Sequence, residues 1–401
     1  MHSPTRREFG AALFAAAVEA PRLNAAPSVD DTLRDGIAQR KIPAAVGMFA
    51  DADKIRYAGA YGTRDSSGVP VTVDSIFAIA SMTKAVTTVA AMQLVEQGKV
   101  KLDEPVSRLL PQLDNPQVLD GFDPADKPIL RPAKTPITLK HLLTHTSGLC
   151  YDTWDDDMFR YVKAAGVSAF GDAVPPLMFE PGTRWQYGTG VDFAGRLVEK
   201  VTGMSLEDYF QAKILKPLEM TDTSYIVPES RFDRVVTGYS RQPDGSLKPN
   251  QRRQPSVPKQ FNGGGGLYST AGDYTRFMQM ILHKGRGVLS AKSIAIMETN
   301  QIGAAMAGKM KSHQPSQSSD VDIQPGATEK WGLGFLINTT PYAGGRSAGS
   351  LAWAGIFNTF FWIDPKRSVC GVLLMQYLPF VDKEAVGLLG DFERAAYAIP
   401  R

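Results

Sequence analysis

The two ends of the chain read as strands, and the long stretch between them does not. "AAVGMFADADKIRYAGAYG" (44–62) has the pattern of two short strands around a turn at Asp51–Asp53. Towards the other end, "WGLGFLI" (331–337), "SLAW" (350–353), "NTFFWID" (358–364) and "VCGVLLMQY" (369–377) are rich in the aromatic and β-branched residues that suit a pleated, buried surface. Helical patterns flank both groups, from Asp31 to about Arg40 and from Lys383 to Ala398. Strands at both ends of a chain share a sheet only if the ends come together. The expectation is therefore an α/β lobe built from residues 27–80 and 330–401. Residues 81–329 would form a mostly helical lobe, with a cleft between the two.

The middle fits that division. Ser81–Gly98 is apolar at Ala85, Val89, Met92 and Leu94 and ends on a glycine stop. Further helical segments lie near 138–144, 191–202, 205–215 and 271–284. Two polar, aperiodic stretches, 240–260 and 304–328, read as long loops at the rim of a cleft. The chain has 401 residues, 43% hydrophobic and 21% charged, which is enough apolar material for a large core. A net charge of only +3, with no basic cluster interleaved with aromatics, argues against a nucleic-acid partner. Cys150 and Cys370 show neither metal nor redox spacing.

Residues 1–26 differ from the rest. Arg6 and Arg7 precede Phe9, a short apolar run from Gly10 to Val18, and the small residues Ala25 and Ala26. This pattern is that of a twin-arginine export signal, which implies a periplasmic or secreted protein. A frayed helix on a cytoplasmic protein is the alternative. The run is too short to span a bilayer, and no other stretch approaches that length, so no integral membrane segment is expected.

Two serines compete for the role of nucleophile. Gly345-Arg346-Ser347-Ala348-Gly349 is a formal G-x-S-x-G, but that elbow needs a histidine later in the chain and a helix directly after it. All five histidines (His2, His141, His145, His283 and His313) precede Ser347, and the residues after it read as strand. Ser347 is therefore assigned to a turn. Ser81 and Lys84 make S-x-x-K at the start of a strong helical segment, flanked by the apolar Ile79, Ala80 and Met82. Positions i and i+3 share a helix face, so the amine can approach the hydroxyl. A serine hydroxyl needs such a proton partner to attack a carbonyl. His141 and His145, at i and i+4, lack the H-E-x-x-H glutamate and a third ligand, so no metal site is expected. The Gly263–Gly266 run has no Lys-Ser/Thr after it and reads as a tight turn rather than a phosphate cradle.

The segment "SIFAIASMTKAVTTVAAMQLVEQGKVKLDEPVSRLLP" resembles the opening of the serine β-lactamase and penicillin-binding-protein superfamily. More closely, it is similar to the carboxylesterases with a class C β-lactamase fold, called family VIII. "ITLKHLLTHTSGL" (137–149), "FEPGTRWQYG" (179–188), "NGGGGLYSTAGDYTRF" (262–277) and "WAGIFNTFFWIDP" (353–365) agree with it in the same order, so the resemblance spans about residues 30–395. It implies an α/β fold of the α+β type, an antiparallel sheet flanked by helices, with a helical lobe beside it. It also implies Ser81 as acylated nucleophile, Lys84 as its proton partner and Tyr187 as the second acid/base. The backbone N–H groups of Ser81 and Ile356 would form the oxyanion hole, and Trp353, Gly355 and Tyr151 would line the substrate site. No cofactor is implied.

Two departures from the β-lactamase pattern bear on function. Thr189 stands where Tyr-x-Asn has its amide, and Trp353 stands where Lys-Thr-Gly has its lysine. Both remove handles for a β-lactam or a D-Ala-D-Ala peptide. The expected activity is cleavage of short-chain carboxylic esters, small-molecule substrates, through an acyl-enzyme. The alternatives are transfer of the acyl group to an alcohol, as in acyltransferases that decorate polyketides, hydrolysis of β-lactams or amides, and a penicillin-recognising sensor without turnover. Under this reading a fluorophosphonate probe labels the Ser81 peptide, as read by mass spectrometry of the digest. Ser81→Ala abolishes turnover and Ser347→Ala keeps most of it; label on Ser347 would reverse the assignment.

Overall fold

A computed structural model describes residues 28–167, 174–250 and 257–400. The expected export signal lies outside the described residues. Among those described, strands from both ends of the chain form one seven-stranded sheet. Its order is Ile55–Gly62, Ala44–Asp51, Val369–Leu374, Thr359–Asp364, Leu351–Gly355, Leu336–Asn338 and Glu329–Trp331. Every neighbouring pair is antiparallel. The N-terminal segment thus joins the C-terminal strands by pairing Val46–Asp51 with Val369–Leu374.

Both faces of the sheet are covered. Helices Val29–Arg40 and Lys383–Tyr397 pack together on one face, and helix Ala271–Leu282 lies on the other. Ser28 caps the first helix, its hydroxyl accepting the Asp31 N–H at 3.1 Å, and Lys41 ends it in the left-handed region at φ +50°. Strands covered on both faces read as continuous apolar runs, and Thr359–Asp364 is buried at all six positions.

The helical lobe is organised around helix Thr83–Glu96. Every residue from Thr83 to Leu94 is buried, because the Gly190–Thr202 helix and its neighbours surround it. Its near-absence of charge suits a helix enclosed on all sides. Lys84 is its one charged residue before Glu96.

Several elements differ from the sequence reading. The apolar run 331–337 is two strands joined by a tight turn, closed by the Gly332 N–H on the Phe335 carbonyl at 2.9 Å. Gly334, at φ +80°, lies so near helix Thr83–Glu96 that a Cβ would sit 2.6 Å from the Thr88 hydroxyl. A turn buried in this way carries no polar signal. Helices Asp156–Ala165 and Ala291–Met297, and a hairpin of Gln117–Phe122 with Pro128–Pro132, were not anticipated. The first part of the expected 240–260 loop is a small hairpin, Tyr239–Arg241 with Leu247–Pro249.

The G-x-S-x-G segment is a structural clamp. Arg346 is buried, and its Nε and Nη2 reach Glu393 of the C-terminal helix at 3.0 and 2.5 Å. The Arg346 N–H adds a third bond to Glu393 at 2.8 Å, and the Ser347 N–H donates to Asp364 at 2.8 Å. A Cβ on Gly345 would lie 2.4 Å from the Glu393 carboxylate, which accounts for the glycine. Breaking a buried ion pair from one side strands the other charge, at about 3–5 kcal/mol. Glu393→Ala is accordingly expected to lower unfolding stability by about that amount in a denaturant titration. Glu104→Ala, which opens the exposed Lys101–Glu104 pair, should leave the unfolding midpoint nearly unchanged.

Candidate active site

Ser81 lies in a single 3₁₀ turn, Ala80–Met82, directly before helix Thr83–Glu96. Ala80 has φ +44°, a left-handed conformation uncommon for a residue with a Cβ. Such strain persists where the surroundings fix the chain. Here the Ile79 N–H bonds the Leu267 carbonyl and the Met82 N–H bonds the Ile79 carbonyl, both at 3.0 Å. The Tyr274 hydroxyl donates to the Met82 carbonyl at 3.0 Å. Phe77 and Ala78 pair with Ser269 and Tyr268 on the approach to the turn.

The Lys84 side chain is the hub of the site. It is almost fully buried, and its Nζ donates to Ser81 Oγ at 3.2 Å, Tyr151 Oη at 3.1 Å and the Gly264 carbonyl at 2.7 Å. An ammonium has three N–H bonds, so these acceptors satisfy it completely. No carboxylate lies within ion-pair distance of it among the described residues.

Tyr187 and Tyr151 stand side by side because their backbones are joined. The Tyr151 N–H bonds the Tyr187 carbonyl at 3.3 Å and the Thr189 N–H bonds the Leu149 carbonyl at 3.2 Å. Gly188 permits this approach, since a Cβ there would sit 1.7 Å from the Leu149 oxygen. The Tyr187 ring centroid is 4.8 Å from Lys84 Nζ, and its hydroxyl accepts the Trp353 indole N–H at 3.2 Å. Burial, reinforced by the Asp192 carboxylate and by Tyr187, pushes the Tyr151 phenol well above its usual range.

Strand Leu351–Gly355 brings Trp353 and Gly355 to the same place. A Cβ on Gly355 would fall 2.4 Å from the Ile79 carbonyl oxygen and 2.3 Å from the Thr359 hydroxyl. The end of this strand therefore touches the turn that carries Ser81, and Ile356 follows at once. The structure thus gathers Ser81, Lys84, Tyr151, Tyr187, Trp353 and Gly355 in one cluster. Ser347 belongs to the Glu393 clamp instead. Tyr151, read from sequence as a substrate contact, bonds Lys84. Trp353, read as lining the substrate site, also gives its N–H to Tyr187. It packs edge-on against Trp331 as well, at 4.7 Å.

His141 and His145 have separate structural duties. His141 closes a capping box with Thr138, and its ring is half-buried. His145 is buried and accepts the Gly188 N–H on Nδ1 at 3.3 Å. Burial and the nearby Lys84 charge hold its imidazole well below its usual pKa, so it stays neutral. The Gly263–Gly266 turn does more than turn the chain. Its Gly263 carbonyl accepts the Thr87 hydroxyl at 2.6 Å, and its Gly264 carbonyl accepts Lys84. Asp192, whose carboxylate takes the Gly264 N–H at 2.8 Å, escaped the sequence reading. Its distance of more than 100 positions from Lys84 leaves no spacing to detect.

The sequence pattern described as Beta-lactamase matches residues 29–393. The chain belongs to the beta-lactamase family. As a member it is a serine enzyme of the acyl-transferring or hydrolytic kind, with the penicillin-binding-protein fold. Among its relatives, the monacolin J acid methylbutanoyltransferase of Aspergillus terreus is 32% identical, over 92% of this chain and 95% of its own length. The lovastatin esterase of Penicillium rubens is 31% identical, over 91% and 96%. The solved structure of unliganded simvastatin synthase from Aspergillus terreus superposes with a TM-score of 0.78 at 30% identity, over 92% of this chain and 97% of that one.

Within the family frame the two departures acquire a setting. Thr189 is buried, and its hydroxyl has no hydrogen-bond partner among the described residues. It is too short to take over the work of an asparagine amide. The contact between Gly355 and the Ser81 turn gives a direct test of the geometry. Gly355→Ala has to displace both the Ile79 backbone and the Thr359 side chain, and misplacing reacting groups by about 1 Å costs about 100-fold. A loss of that order in kcat/KM on p-nitrophenyl butyrate is expected, with the circular dichroism spectrum unchanged.

Proposed function

We propose that the protein is an acyltransferase, moving a short acyl group onto an alcohol through an acyl-Ser81 intermediate, with ester hydrolysis as the competing branch. The observation that carries this reading is the similarity, over nine-tenths of both chains, to a methylbutanoyltransferase. It reverses the order reached from sequence, where ester hydrolysis came first and transfer second. The lovastatin esterase keeps hydrolysis in second place.

The geometry supports an ordered set of proton transfers. Lys84 has all three N–H bonds occupied and acts as a fixed positive charge beside Ser81. Tyr151 stays a neutral phenol for the reasons given above. Tyr187 is the remaining candidate base: as its phenolate it takes the Ser81 proton, and the Trp353 N–H steadies the negative charge on its oxygen. Ser81 Oγ then bonds to the carbonyl carbon of the donor. The oxyanion is held by the N–H groups of Ser81 and Ile356. Collapse expels the leaving alcohol or thiol, which takes the proton back from Tyr187. In the second half an acceptor alcohol gives its proton to Tyr187 and its oxygen bonds to the acyl carbon. Ser81 leaves, recovering the proton.

The walls around this site favour an apolar acceptor. Trp154 lies 5.5 Å from Tyr187, and Phe380 lies 6.3 Å from Trp154. Trp154 is fixed by its indole N–H on the Ser318 hydroxyl at 3.0 Å, from the 304–328 stretch. An aromatic surface of this kind buries a bulky alcohol and limits competing water.

The test is a partition experiment with a butyryl thioester donor and increasing concentrations of a polycyclic secondary alcohol. Mass spectrometry should show the product ester rising while free butyrate falls, with total thiol release tracking their sum. Butyrate release unaffected by the alcohol at every concentration would leave hydrolysis as the activity.

A further inference from the structure

Gly264 joins two groups that lie far apart in sequence. Its N–H is held by Asp192 Oδ1 at 2.8 Å, and its carbonyl holds Lys84 Nζ at 2.7 Å. The join is tight, for a Cβ on Gly264 would lie 2.6 Å from Asp192 Oδ2. Gly263 is pressed equally hard, with a Cβ position 2.5 Å from the Val191 carbonyl. The glycine turn and the first turn of helix Gly190–Thr202 are therefore one unit.

The charges around this unit are few. Asp192 faces Lys84 from the central helix, Arg196 from its own helix, Tyr151 from the segment after Leu149, and Tyr225 from the segment before the 239–249 hairpin. Glu199 and Glu207 sit near Tyr225. Lys84 in turn faces Ser81, Tyr151, Tyr187 and His145, none of them a carboxylate. A buried ammonium without a counter-charge is costly.

We propose that Asp192 is a positioning residue, the counter-charge of Lys84, acting across Gly264 and its two flanking peptides to keep the amine protonated and aimed at Ser81. Two successive peptide dipoles serve it: the 263–264 peptide turns its N–H to the carboxylate, and the 264–265 peptide turns its C=O to the ammonium. The inference rests on acylation of Ser81 as proposed above. It does not depend on whether alcohol or water receives the acyl group.

The experiment is the pH profile of kcat/KM on p-nitrophenyl butyrate for the wild type, Asp192→Asn and Arg196→Gln. Asparagine keeps an oxygen for the Gly264 N–H, so this change removes charge while sparing the bond. Loss of the negative charge disfavours the Lys84 cation and favours tyrosinate. Both limbs of the profile should then move to lower pH, by about one unit. Loss of the Arg196 charge should move both limbs the other way. KM should change little in either variant. A profile for Asp192→Asn that superposes on the wild type after scaling would overturn the proposal, since a merely structural role changes height and not position. Where Asp192→Asn does not fold, Arg196→Gln carries the test, and unmoved limbs there overturn it. Fluorophosphonate labelling of the wild type is run alongside. Absence of label on Ser81 overturns the acyl-Ser81 reading, and this proposal with it.

Discussion

The site depends on keeping one ammonium inside the protein. Lys84 occupies the first turn of a helix that is otherwise apolar and buried, where an unpaired charge would cost several kcal/mol. Its three hydrogen bonds reach a neighbouring turn, a loop after residue 149 and a glycine turn near residue 264. Satisfying that one group therefore requires two distant parts of the chain to meet the start of this helix. The same meeting places Ser81 beside a positive charge and two tyrosines.

The glycines of the site follow from this demand for close approach. Gly188 lets the two tyrosine-bearing segments touch, Gly264 fits between Asp192 and Lys84, and Gly355 lets a strand lie against the Ser81 turn. In each case a Cβ would fall within 2.6 Å of another group. The strand that delivers Gly355 and Trp353 is itself anchored inside the sheet, between Leu336–Asn338 and Thr359–Asp364. Residues 345–347, which precede that strand, are clamped to the C-terminal helix and to Asp364. A motif that looks like a nucleophile elbow thus serves to seat the strand.

Trp353 shows how a residue's setting changes its meaning. In sequence it is an indole where a lysine would hold a substrate carboxylate, and the natural reading is an apolar wall. In the structure its ring does pack among Trp331 and Tyr187. Its N–H, however, supplies a donor to the Tyr187 oxygen. The tyrosine thus has a neutral hydrogen-bond donor on its oxygen.

The sequence by itself determined whatever rests on local spacing. Ser81 and Lys84 are three positions apart on one helix, so their approach follows from helix geometry. The dismissal of Ser347 follows from the order of the histidines, and the sheet's membership from apolar strands at both ends. Tertiary structure alone decided the rest. The Asp192–Gly264–Lys84 link joins residues with no periodic relation, and Tyr151 gained its bond to Lys84 only because the backbone at Gly188 has room for Leu149. The turn at Gly332–Gly334 was hidden because burial on both sides made it as apolar as the strands it joins. Periodicity records which face of an element is buried. It does not record which distant group the buried face will meet.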